Sequence, residues 1–133
     1  MTPLQLPSNF KPTHQTEGLP GFPAIDVFAS GGTLVGCPDR GTVVKLSGHP
    51  VTPTVKPGGP YGLSVYVKRS RLAFWRKGTY YLTHFGSLSP GLAVGVKVKR
   101  GQVIGTVADY TKATKGITPS HIHEGYHAGD WTP

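Results

Sequence analysis

Three of the six histidines in this 133-residue chain, with one aspartate, are candidates for chemistry. His121-Ile122-His123 sets two of them two residues apart. On a strand alternate side chains share a face, so both imidazoles enter one site while Ile122 points into the core. Imidazole nitrogen is a good zinc ligand, at about 2.0–2.1 Å. It also changes charge near neutral pH, so one ring of such a pair can ligate a metal while its neighbour handles protons. An isolated pair of this kind is a weak signal, and a surface role accounts for most of them. His84, in Tyr80-Tyr81-Leu82-Thr83-His84-Phe85-Gly86, ends a predicted strand and begins a loop, where functional groups often sit. Alone it reads as a partly buried histidine closing a strand. Asp26 lies between Ile25 and Val27. It belongs either on the solvent face of an edge strand or on the histidine face, where its charge needs a partner that a metal supplies.

The elements that must position these groups are short. The chain carries 19 glycines and 13 prolines, a content that on its own suggests disorder. Between them, however, lie β-rich runs such as Thr42 to Leu46 and Leu63 to Val67, so many short strands joined by tight turns are expected. Residues 1–23 read as an extended arm packing onto a body formed by residues 24–133. Expected strands are Ala24 to Ala29, Thr33 to Val35, Gly41 to Leu46, Tyr61 to Lys68, Thr79 to Phe85, Val94 to Lys99, Gly101 to Val107 and His121 to Gly125. Residues 48–60 and 109–120 read as loops. No stretch sustains a 3.6-residue apolar period, so the expected fold is all-β: a compact antiparallel sheet or sandwich with long loops and little helix.

The charge balance, 14 Lys and Arg against 6 Asp and Glu, suits an anionic partner: nucleic acid, a membrane surface, or a cell wall carrying phosphate polymers. The basic residues are dispersed along the chain. The nearest approach to a cluster is Lys68, Arg69, Arg71, Arg76 and Lys77, interrupted by Leu72-Ala73-Phe74-Trp75. Cys37 is the single cysteine, so no internal disulfide forms. No run approaches the roughly 20 apolar residues of a membrane span. Met1 to Ser8 has neither a basic start nor an apolar stretch, so no secretory leader is expected.

In order, these segments resemble the lysostaphin-type peptidoglycan metalloendopeptidases from Ala24 to Glu124. Ala24-Ile25-Asp26 stands for the family's aspartate strand, and Gly32 to Val43 for its G-T-P-V-x-A-P-x-D-G-x-V stretch. Pro60-Tyr61-Gly62 stands for the glycine-tyrosine-glycine turn, and Leu82 to Ser87 for Y-x-H-L-S. Val94 to Gly105, with Gly101-Gln102-Val103-Ile104-Gly105, matches V-x-x-G-x-x-V-x-x-G-Q-x-I-G, and His121-Ile122-His123-Glu124 matches H-L-H-x-E. The resemblance implies zinc held by Asp26 and His123, with His84 and His121 as catalytic groups that line the site. It implies a third ligand four residues before the aspartate, where this chain has Phe22. His14 is the substitute, with Glu17 as the alternative. His49 and His127 match nothing in the pattern and read as solvent-exposed, and Glu124 should face away from the site.

By the same resemblance the zinc ion keeps a position open for water, His121 is the general base, and His84 stabilises the oxyanion or protonates the leaving amine. Tyr61 is a further candidate donor. The implied substrate is the peptide stem or cross-bridge of bacterial peptidoglycan. A phage tail-associated enzyme or a lysin is the expected setting, at the virion tail or the bacterial wall, with other tail proteins as partners and no nucleic acid. Two rivals follow from particular residues. Phe22 raises an inactive member serving as a structural or wall-binding module. Phe74-Trp75-Arg76 raises a nucleic-acid binder, a reading that explains none of the histidines.

Overall fold

The computed structural model describes residues 2–8, 23–48, 62–70, 77–109, 119–129 and 133. His14, Glu17, Phe22, His49, Tyr61 and the segment from Arg71 to Arg76 lie outside them. Nine strands run through the described residues: β1 Leu4–Gln5, β2 Ala24–Phe28, β3 Leu34–Gly36, β4 Gly41–Gly48, β5 Leu63–Arg69, β6 Gly78–Leu88, β7 Lys97–Val98, β8 Val103–Val107 and β9 His121–Ala128. No helix occurs among the described residues, as the missing 3.6-residue period predicts.

The strands form one sheet in the order β1-β3-β8-β6-β5-β4-β7, with β9 on β6 and β2 on β9. Every pairing is antiparallel except β1 with β3. The start of the expected arm is thus part of the sheet: Leu4 and Gln5 pair with Val35 and Gly36, and Leu6 is fully buried. Val35 from β3 and Val98 from β7, far apart in strand order, share one hydrophobic cluster with Val65, Leu82 and Ile122. The sheet therefore curls over its own core. Each fully buried aliphatic side chain there contributes roughly 1.5–3 kcal/mol. Cys37 joins the same cluster, and burial pushes its thiol up to about 12, so it is a protonated apolar filler.

β6 organises the sheet. One edge pairs with β5 along most of its length. The other is divided: Gly78 to Thr83 pair with β9, and Phe85 to Leu88 pair with β8. Because β8 and β9 share this edge, β6 does not end at Phe85 as the sequence suggests but runs on to Leu88. β9 likewise continues past Gly125 to Ala128, because β6 offers paired backbone as far as Gly78. The expected strand from Val94 to Lys99 shrinks to two residues, since Gly91 and Gly95, at φ 83° and 94°, turn the chain before it.

Beneath the sheet Arg69 is almost fully buried, with its Nε and Nη2 each 2.7 Å from Asp39 Oδ2. Its guanidinium lies 5.3 Å from the Tyr80 ring centre and 5.4 Å from that of Tyr126. The Ser8 carbonyl accepts from both Arg69 and the Tyr80 hydroxyl, which ties the N-terminal segment to this buried cation.

Candidate active site at the fork of the sheet

Where β8 and β9 part along β6, the backbone carries one extra residue. Leu63 pairs with Phe85 and Val65 with Leu82, so two steps on β5 match three on β6. The bulge falls at Thr83-His84, and His84 takes a φ of 79°, the only non-glycine described with a positive value. Alternation would send His84 away from Thr83, toward the other face. The bulge re-aims it, as bulges beside functional sites do. Two features hold the bulge. The Ala108 amide donates to the His84 carbonyl at 3.0 Å, and the Thr83 hydroxyl meets the Ser64 hydroxyl at 2.7 Å in a buried pair. Gly62 makes room: at its φ of 86° a Cβ would stand 2.9 Å from the Phe85 carbonyl oxygen and 3.1 Å from His84 Cα.

β9 and β2 supply the rest. Asp26 pairs with His123 and Phe28 with His121, so these four side chains share one face, while Ile122 and Glu124 point into the core. This settles the choice left open for Asp26: it lies on the histidine face. Its Oδ1 is 3.0 Å from His123 Nδ1 and 3.8 Å from His121 Nε2. The His84 ring centre lies 4.8 Å from that of His121 and 6.2 Å from that of His123. His121 Nδ1 stands 2.8 Å from the Pro119 carbonyl. A carbonyl only accepts, so Nδ1 donates there and Nε2 is the basic nitrogen, facing the Asp26 side of the site.

The structure thus gathers Asp26, His84, His121 and His123, and places His14 outside the described residues. His127 departs from expectation: it is half-buried on β9 opposite Thr79, and burial lowers its pKa. Glu124 faces away from the site as expected and is fully buried opposite Leu82. Burial pushes its pKa up to about 9, so its carboxyl is neutral at physiological pH. Two further aromatic groups border the site. Phe28 is 61% exposed with its ring 5.4 Å from His121, and Tyr81 lies 6.2 Å from His123. Phe28 was within reach of the sequence, because alternation along Ala24 to Phe28 puts it on the face of Asp26. Tyr81 needed the register between β6 and β9.

Neither the protein-family models nor the curated proteins yield a match to this chain. Solved structures do. The catalytic domain of the prophage-encoded M23 protein EnpA from Enterococcus faecalis, in a mutant form, aligns at 21% identity and a TM-score of 0.55, over 80% of this chain and 67% of its own. The catalytic domain of the antimicrobial peptidase lysostaphin from Staphylococcus simulans aligns at 20% identity and 0.54, with the same two coverages. Csd3 from Helicobacter pylori aligns at 23% identity and 0.54 over 77% of this chain, which spans only 22% of Csd3.

This chain has the lysostaphin-type M23 peptidase fold.

On that fold, the donors present can be tested against a zinc ion. Asp26 Oδ1 and His123 Nδ1 are hydrogen-bonded at 3.0 Å, and a carboxylate with an imidazole is a donor set zinc accepts once Nδ1 has given up that proton. The pair fits. Among the described residues no three metal-binding side chains are grouped tightly enough to hold an ion.

Proposed function

We propose that this M23-fold domain is a zinc-dependent endopeptidase that cuts the peptide part of bacterial peptidoglycan. The observation carrying the reading is the convergence of Asp26, His123, His121 and His84 at the fork of the sheet.

Asp26 and His123 would hold the ion, with His14 from the N-terminal segment as the third ligand. Zinc, when bound, supplies a Lewis acid that acidifies water and polarises a carbonyl. The chain's own groups do the rest. His121, its Nδ1 engaged by Pro119, keeps Nε2 as the base that takes the proton from the attacking water. His84, re-aimed by the bulge, reaches the same space from the other side, where it donates to the developing oxyanion or to the leaving amine. The exposed Phe28 ring gives substrate an apolar surface beside His121.

The test is release of new amino termini from purified peptidoglycan, with and without a chelator. Parent protein should release them, and chelation should abolish release. His121→Ala should lower turnover by about 10²–10⁴-fold, the usual worth of a general base, while retaining zinc. An inactive parent, fully loaded with metal, would leave the binding-module reading. That reading draws on Phe22 at the expected ligand position and on the two-donor set among the described residues. A phage-borne setting is part of the proposal and draws on EnpA being prophage-encoded. Detection of the chain in purified virions would support it, and its absence from them would remove it.

A further inference from the structure

The basic residues look dispersed in the sequence but are not dispersed in space. β4, β5 and β7 meet at Gly41 and Thr42: Thr42 pairs with Lys68 on one side and Lys97 on the other. The two lysines therefore flank one residue on the same face, about 10 Å apart across three strands. Arg40 and Lys99 stand beside this row, and together these side chains wall a cleft of about 670 Å³ that also reaches Arg69 and Gln102. Arg69 is held by Asp39 at 2.7 Å, which offsets its charge. None of the cleft's lining residues is acidic, and no carboxylate among the described residues pairs with Arg40, Lys68, Lys97 or Lys99. Four cations with no carboxylate partner among the described residues repel one another around one concavity and lower their mutual energy when an anion enters. The cleft is remote from the histidines. Lys68 pairs with Thr79, and His84 lies five residues further along β6, about 17 Å at the rise of a strand.

We propose that this cleft binds a flexible phosphodiester polymer of the polyol-phosphate kind carried by bacterial walls, and so anchors the domain beside its substrate. The phosphodiester class follows from the cleft itself: several cations, with neutral hydroxyl and amide groups at Thr42, Ser70 and Gln102, around one concavity. A single-stranded nucleic acid draws much of its affinity from bases stacked on aromatic rings, whereas a polyol phosphate is held by its charge, so the peptidoglycan reading selects the wall polymer and a comparison with DNA tells the two apart. The choice of a wall polymer rests on the peptidoglycan reading, whereas the polyanion site stands without it.

The experiment titrates the full chain with purified poly(glycerol phosphate) at several salt concentrations, and with single-stranded DNA at equal phosphate. It compares the parent with Lys97→Glu/Lys99→Glu, both exposed positions, after checking that the two share one melting temperature. Parent should bind the polymer more tightly than DNA, with affinity falling steeply in salt. The double variant should bind at least tenfold more weakly. The milder Lys97→Ala should reduce the slope of log affinity against log salt by about one. The double variant should cut a soluble cross-bridge peptide like the parent but intact walls several-fold more slowly, because tethering raises local concentration. Equal polymer affinity in parent and double variant overturns the proposal, as does tighter binding to DNA. If the parent binds polymer as expected but cuts no peptide at all, the hydrolase reading fails and the anion site survives. If it cuts peptide but ignores polymer, the reverse holds.

Discussion

His84 occupies a backbone conformation that costs a non-glycine residue about 1–3 kcal/mol, and it does so beside Asp26, His121 and His123. Strain of that size persists only where the surroundings impose it, here through the Ala108 amide and the buried Ser64–Thr83 pair. Stability and chemistry should therefore separate at this position. His84→Gly should raise the unfolding free energy by about 1 kcal/mol, since glycine adopts positive φ freely, while turnover falls by about 10²-fold or more for loss of a positioned proton donor. Urea denaturation and initial rates on the same preparation read both quantities. A variant less stable than the parent would mean that the imidazole holds the fold together. Residue type and spacing make Asp26, His84, His121 and His123 candidates one by one, each a weak signal alone; only the ordered family resemblance joins them in one site. The geometry of His84 was not legible, because the bulge exists only where three strands meet, and no local pattern at Thr83-His84 encodes it. His127 was misjudged for a similar reason: the extension of β9 that half-buries it depends on the length of its partner β6.

Among the elements, β6 does most to build the site. It supplies core residues Tyr80, Leu82 and Phe85, divides one edge between β8 and β9, and positions His84 at the division. The start of β5 must come close to that point, so Gly62 is as much a part of the site as the histidines. Gly62→Ala would place a Cβ against the Phe85 carbonyl at a φ of 86°. The expected cost is about 1–3 kcal/mol of stability, with activity lost beyond that stability change as His84 is displaced. Activity of the folded variant equal to the parent's would show that the bulge forms without this glycine. Most strands were legible from alternation and turn residues, since Gly41 to Leu46, Leu63 to Val67 and Thr79 to Phe85 each pair β-branched or aromatic residues with polar ones. Their ends were not. Strand length follows what a neighbour offers, which is why β6 and β9 outrun their sequence signals and Val94 to Lys99 falls short.

For the molecule as a whole, the curled sheet separates three tasks: a core inside, a histidine face at the fork, and a basic cleft at the far strand ends. The all-β class was legible from composition and period, but the gathering of Arg40, Lys68, Lys97 and Lys99 was not, because they come from three segments distant in the chain, just before β4, on β5, and on and just after β7. The core holds one dissonant group. Glu124 is fully buried, neutral, and without a hydrogen-bond partner for either oxygen among the described residues. An unsatisfied buried polar group costs about 1–3 kcal/mol, so Glu124→Leu, similar in volume, should stabilise the fold by that amount. Lower stability would mean that the carboxyl has a partner essential to the core.

The proposed zinc site requires Asp26 and His123. Elemental analysis of the purified full chain, beside His123→Ala, tests it most directly. About one zinc per chain is expected in the parent, the content of a single site, and little or none in the variant. A parent that takes up no zinc even from excess metal, or a variant that keeps its full complement, would contradict it.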